Sequence, residues 1–125
     1  MTANKIDESV GVDIEDIGRF RKLDQKNSGV FLKKVYTKNE LDYCFWKAVP
    51  AQHLAVRFAG KEAVLKALGG LGLPFVGHNT IEIFNNDRGA PQVRFCGHKN
   101  FKKLSVKISL SHCRDKALAF VVIKK

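Results

Sequence analysis

The stretch Arg57-Phe58-Ala59-Gly60-Lys61-Glu62-Ala63-Val64-Leu65-Lys66-Ala67-Leu68-Gly69 constrains this chain more than any other. Read as a helix, it turns by roughly 100° per residue. On that wheel Leu54, Phe58 and Leu65 share one narrow stripe. Lys61 falls between Leu68 and Leu54, and Glu62 between Phe58 and Ala55, one on each side of the stripe. Val56, Gly60, Ala63, Val64 and Ala67 fill the back. A helix that is apolar or small on almost every side belongs in the interior. Charges set into such a helix are costly unless paired, hydrogen-bonded or bound to a metal. Arg57, Lys61, Glu62 and Lys66 sit there all the same. One reading pairs them within the helix, since Glu62 and Lys66 have the favourable i,i+4 order. The other makes them a site.

The 125 residues fit a single domain, residues 1–125, with enough chain for one core. Hydrophobic residues make up 45% and nine are Phe, which argues against disorder. No apolar run is long enough to span a bilayer. The opening Met1-Thr2-Ala3-Asn4-Lys5-Ile6-Asp7-Glu8-Ser9 is polar and lacks the apolar core of a signal peptide, so a cytoplasmic location is the default. Cys44, Cys96 and Cys113 are odd in number and lack metal or redox spacing; they read as reduced thiols, mostly packing. The net charge of +10 favours an anionic partner without saying which. Its cations are spread along the chain, which weakens the case for a nucleic-acid-binding arm.

Along the chain, Val10, Val12 and Ile14 alternate as in a short strand. Asp13 within it is open to a second reading, as a cap for the following helix. Ile17, Phe20 and Leu23 are spaced as a helix face, and Phe31, Leu32 and Val35 suggest a second short helix. Thr37-Lys38-Asn39-Glu40 fits a capping box. The central helix is predicted from about Ala51 to Leu68, closed by Gly69-Gly70-Leu71-Gly72-Leu73-Pro74. These glycines suit a C-cap and, more weakly, a phosphate cradle. Ile81 and Ile83, then Val93 and Phe95, read as a hairpin across Asn85–Pro91. Val106, Ile108 and Leu110 mark another strand, and Ala117 through Ile123 a central or doubly covered one. Helices first and hairpins after indicate an α+β fold, with the long buried helix on an antiparallel sheet.

No nucleophile elbow, complete Walker loop, zincin motif or cysteine-histidine zinc pattern is present. Of the four histidines, His53, His78 and His98 read as surface or loop residues. His112 stands out, following Ser109-Leu110-Ser111 at a strand end. What remains is the set Asp13, Glu62, Lys61, Lys66 and His112. Two carboxylates from different elements, with waters and a substrate phosphate, suffice for Mg²⁺, which commonly uses few protein ligands when it binds phosphates. Composition and spacing permit phosphate chemistry and go no further.

At these residues the sequence resembles the holo-[acyl-carrier-protein] synthase family, the small bacterial class of 4′-phosphopantetheinyl transferase. Gly11-Val12-Asp13-Ile14-Glu15-Asp16-Ile17 with Arg19 resembles the family's first motif, and Arg57–Ala63 with Lys66-Ala67-Leu68-Gly69 its central one. Tyr36-Thr37-Lys38-Asn39-Glu40-Leu41, Gly89-Ala90-Pro91 and Ser109-Leu110-Ser111-His112 resemble three further motifs, in family order. The resemblance implies the 4′-phosphopantetheinyl transferase fold. It also implies transfer of 4′-phosphopantetheine from coenzyme A to a serine of apo acyl carrier protein, releasing adenosine 3′,5′-bisphosphate. It makes Asp13 and Glu62 the Mg²⁺ ligands and Glu62 and Lys66 the catalytic candidates. Lys61 and Lys66 would lie near the phosphates, His112 on a coenzyme A phosphate, and Gly89 and Pro91 at the adenine pocket. For the serine proton, Glu62 and a metal-bound water both remain open as base. The family is a trimer with active sites between subunits, and its carrier partner is acidic. Arg19, Arg21 and Lys22 are the candidate docking cations. Gly60 departs from the family's usual alanine, and Gly70-Leu71-Gly72 from its commonest loop.

Two other readings compete. A non-catalytic carrier-protein-binding homologue is one. A basic nucleic-acid-binding domain is the other; it would bind with strong salt dependence and without need of Asp13 or Glu62. The first reading expects neither a nucleic acid nor a membrane as partner.

Overall fold

The structure is a computed structural model and describes residues 5–125; the polar stretch from Met1 to Asn4 lies outside them. Strand β1 (Glu8–Asp16) leads through a 3₁₀ turn (Ile17–Phe20) to helices α1 (Gly29–Val35), α2 (Lys38–Trp46) and α3 (Pro50–Gly70). A second 3₁₀ turn (His78–Thr80) precedes the hairpin β2 (Ile81–Asn85) and β3 (Pro91–Phe95). A third (Lys99–Lys103) precedes β4 (Ser105–His112) and β5 (Lys116–Lys124). This is the α+β arrangement expected.

Helix α3 is longer than its pattern predicts, by one residue at the start and two at the end. Pro50 opens it, where a missing N–H costs nothing. Its end is closed by Leu71 N–H donating to Ala67 O at 3.2 Å and Leu73 N–H to Leu68 O at 3.0 Å, with Gly72 at φ 71°. Apolar clusters pack on two sides of it. Ala59, Ala63, Val64, Ala67 and Leu68 meet Ile81, Phe95, Ala119, Val121 and Ile123. Leu54, Ala55 and Val56 meet Ile17, Phe20, Leu32 and Cys44.

The sheet runs β1-β5-β4, all antiparallel, so the apolar β5 is central as expected. Its two faces differ. Ala117, Ala119, Val121 and Ile123 are buried on the inner side, while Leu118 and Phe120 are exposed on the other. On β1 the buried side is the reverse of what the apolar residues suggest. Val10, Val12 and Ile14 are 50–61% exposed, and Gly11, Asp13 and Glu15 share the face turned to α3. Alternation says which residues share a face, not which face is covered. Here the face with the glycine meets the helix.

Several local expectations change. Asp13 lies inside β1 and caps no helix, and Ile17–Phe20 form a 3₁₀ turn rather than an α-helix. Cys44 is buried, but Cys96 and Cys113 are exposed, which corrects the reading of the thiols as mostly packing. The capping box forms as predicted: Glu40 N–H donates to Thr37 Oγ1 at 3.2 Å, and Thr37 N–H to Glu40 Oε1 at 2.9 Å.

Candidate active site

Residues of β1 and α3 that are far apart in sequence meet where the two elements cross. Lys66 Nζ donates to Val12 O at 2.9 Å and lies 3.4 Å from Asp13 Oδ1. Lys66 thus reaches across to β1, and the pairing with Glu62 inside α3 is not the one formed. Asp13 is largely covered, and its Oδ2 is buried without a hydrogen-bond partner. A bare carboxylate oxygen out of water is costly unless a cation or donor meets it.

Glu15 lies two residues on, on the same face of β1, and its side chain is only 10% exposed. Its carboxyl is pushed up from 4.5 to about 7, first by burial and then by the hydrogen bond and charge of Asp13; Arg19 opposes this and Glu62 adds to it. Asp13, Glu15 and Glu62 therefore share one electrostatic neighbourhood. Glu62 Oε1 lies 3.4 Å from His78 Nε2. The His78 ring stacks on Phe58, with centroids 5.7 Å apart and planes 6° apart.

Lys61 corrects an expectation. The family resemblance puts it near the phosphates, yet its side chain has no exposed surface. Its amine lies 2.7 Å from Glu40 Oε1, donates to His78 O at 2.9 Å and also to Ile81 O. Burial lowers its pKa even with Glu40 beside it. Glu40 Oε2 in turn accepts Ile83 N–H at 2.8 Å. The pair ties α2, α3 and β2 together and leaves Lys61 no amine proton for a substrate.

A second group gathers around Tyr43. The Arg57 guanidinium lies 4.1 Å from the Tyr43 ring centre and Lys47 Nζ 4.7 Å. His53 meets the same ring edge-on at 5.7 Å. Arg57 is 3% exposed, its Nε has no partner, and no carboxylate pairs with it among the described residues. Burial lowers the His53 pKa, and the charges of Arg57, Lys47 and His112 lower it further. A cleft of about 190 Å³ runs past Asn39, Tyr43, Arg57 and Asn85. Asn85 Nδ2 donates to the Tyr43 hydroxyl at 3.0 Å, which links this group to the hairpin that carries Gly89 and Pro91. Gly89 takes φ 80° in that turn. His112 is exposed at the end of β4. The predicted residues thus fall into two regions. Asp13, Glu62 and Lys66 join the carboxylates, while His112 neighbours the Arg57 group.

Of the docking cations, Arg21 and Lys22 are exposed. Arg19 is bound to Glu15 at 2.7 Å, with its guanidinium 6.0 Å from the Phe58 ring centre. It belongs partly to the carboxylate cluster. Sequence reasoning did not single out Glu15, Tyr43, His53 or His78, which stand beside the candidate residues. Glu15 was findable, since i and i+2 share a strand face. His78 follows a loop and carries no spacing signal.

Among the described residues no three or more His, Cys, Asp or Glu side chains are grouped so as to hold a metal ion by themselves. A pair of hard carboxylates with one bare, buried oxygen does fit a cation that keeps waters and takes phosphate oxygens as its other ligands.

Residues 9–121 match the model of the 4′-phosphopantetheinyl transferase superfamily. The holo-[acyl-carrier-protein] synthase of Thermodesulfovibrio yellowstonii is 46% identical over 119 residues, covering 93% of this chain and 97% of that one. The Neisseria meningitidis holo-[acyl-carrier-protein] synthase structure superposes with a TM-score of 0.78 at 31% identity, over 94% of this chain and 98% of that one. The Helicobacter pylori enzyme, solved in complex with coenzyme A, gives 0.77 at 28% identity over 92% and 99%.

Proposed function

The chain belongs to the 4′-phosphopantetheinyl transferase superfamily, and from that premise we propose how its residues divide the work. It is a holo-[acyl-carrier-protein] synthase: it moves 4′-phosphopantetheine from coenzyme A to a serine of apo acyl carrier protein, leaving adenosine 3′,5′-bisphosphate.

Asp13 and Glu62 would hold Mg²⁺. The observation that carries this is the buried, unpartnered Oδ2 of Asp13 next to Lys66. When bound, the ion neutralises charge on the pyrophosphate as the phosphorus is attacked. Lys66 stands at the same place and adds a fixed positive charge for the phosphate oxygens. Glu62 is a candidate to take the serine proton, being a carboxylate at the rim of the cluster. The Arg57 and Lys47 cations, with the His53 and His112 imidazoles beside them, form a seat for a phosphate of coenzyme A, supported by the lack of any carboxylate on the buried Arg57 among the described residues. Gly89 and Pro91 shape the adjoining wall for the adenine.

The active form is a homotrimer with sites between subunits. Its support is the outer face of the sheet, where Val10, Val12, Ile14, Leu118 and Phe120 are exposed together. The carrier protein is acidic and meets Arg21, Lys22 and the exposed part of Arg19, where opposite charge speeds and orients encounter. A cytoplasmic location goes with three free thiols.

The test is intact-mass analysis of apo acyl carrier protein incubated with this protein, coenzyme A and Mg²⁺. A gain of one phosphopantetheinyl group, lost with EDTA and restored by added Mg²⁺, is expected. Unchanged carrier mass, with no coenzyme A binding by the protein, would sink the reading.

A further inference from the structure

We infer that His78 is a positioning residue for Glu62, fixing the carboxylate through a hydrogen bond from Nε2; the inference rests on the assignment of Glu62 to the metal. His78 Nε2 and Glu62 Oε1 are 3.4 Å apart. An ionised carboxylate can only accept, so the proton of this contact sits on Nε2. That donor exists in both the neutral Nε2–H tautomer and the imidazolium, so the role needs no change of charge.

The ring is placed from several sides. Phe58, one turn before Glu62 on α3, stacks flat against it at 5.7 Å, and Phe75 meets it edge-on at 6.2 Å. The backbone of the same residue is also held. His78 O accepts Lys61 Nζ at 2.9 Å, and Lys61 is anchored by Glu40. Around it, Thr80 Oγ1 donates to Gly77 O at 2.7 Å, and Asn79 Nδ2 to Lys33 O at 3.2 Å. One residue is therefore clamped by its backbone to Lys61 and by its side chain to Glu62, two neighbours on one helix. Glu62 is a third exposed, and among the described residues it has no other side-chain hydrogen bond. Without His78 its rotamer is free. Carboxylates and histidines around a metal depend on such outer hydrogen bonds, and losing one typically costs 10–100-fold in affinity.

The test uses Mn²⁺ as a paramagnetic probe and measures its binding to the whole protein by electron paramagnetic resonance, with coenzyme A present and carrier protein absent. His78→Phe keeps a ring on Phe58 and removes the donor; His78→Gln puts an amide N–H back at similar reach. Mn²⁺ affinity should fall by about 10-fold or more in His78→Phe and recover in His78→Gln. The transfer rate should drop with the KM for carrier protein unmoved. His78→Leu repeats the measurement if His78→Phe does not fold, with thermal melting as the check on folding. Wild-type affinity in a folded His78→Phe or His78→Leu, beside loss of binding in Glu62→Ala, overturns the inference and leaves the metal assignment standing. A wild-type protein that binds no Mn²⁺ overturns both.

Discussion

Gly11 of β1 packs against the carbonyl of Ala63 on α3 with no room for a Cβ between them. Asp13 lies two residues from Gly11, and Glu62 is the neighbour of Ala63. The closeness of the two proposed metal ligands therefore depends on that missing methyl. Gly11→Ala should separate strand and helix, cost about 1–3 kcal/mol or more from overpacking, and lower transfer beyond what stability explains. Urea denaturation and a transfer assay below the melting temperature separate the two effects.

Lys61 should behave as a structural lysine. Lys61→Met leaves the Glu40 carboxylate buried without a counter-charge, and should cost about 3–5 kcal/mol by urea denaturation. The double variant Lys61→Met/Glu40→Gln should recover part of that. In both, the KM for coenzyme A should stay within about two-fold of wild type, because RT ln 2 is far below the worth of a lost phosphate contact. A large rise in that KM would put Lys61 back among the phosphate ligands.

Stability should depend on pH through Glu15. Its carboxyl sits at about 7 in the folded protein against an ordinary 4.5, so the folded state holds the proton more tightly. That contribution is complete below about 4.5 and is lost as pH rises through about 7. The urea midpoint should fall over this range, Glu15→Gln should flatten the fall, and Mg²⁺ should offset it at the upper end. A midpoint that rises with pH in wild type but not in Glu15→Gln would reverse the sign and contradict the account.

The outer sheet face makes a separate prediction. Val12 and Phe120 are register partners on it, 50% and 43% exposed. Phe120→Asp should convert the proposed trimer to monomer in sedimentation velocity with little loss of monomer secondary structure. If the sites lie between subunits, transfer should fall with it.

The elements and the family were legible because each left a pattern in the sequence: alternation in β4, a nearly continuous apolar run in β5, a capping box at Thr37 and Glu40, an apolar helix through residue 60. The sidedness of β1 was not, since Val10, Val12 and Ile14 look like a core face, and only the fit of Gly11 against Ala63 turns them outward. Gly60 reads in the sequence only as a departure from the family's usual alanine. A Cβ there would overlap Ile83 Cδ1, so the glycine makes space for a buried isoleucine. Lys61 and Lys66 could not be told apart by helical spacing. Lys61 turns inward to a carboxylate on α2 and Lys66 outward to one on β1, and neither partner is encoded locally. His78 was hidden for the same reason, being brought to Glu62 by tertiary packing alone.

The central claim is that Asp13 and its neighbours carry out the transfer. Its most direct test is a single-turnover experiment on Asp13→Asn, with protein in excess over apo carrier protein and with coenzyme A and Mg²⁺ saturating, followed by intact mass. Asparagine keeps the shape and removes the charge. The account predicts no holo carrier protein in the time wild type needs for full conversion, at an unchanged melting temperature. Conversion at a rate close to wild type would contradict it.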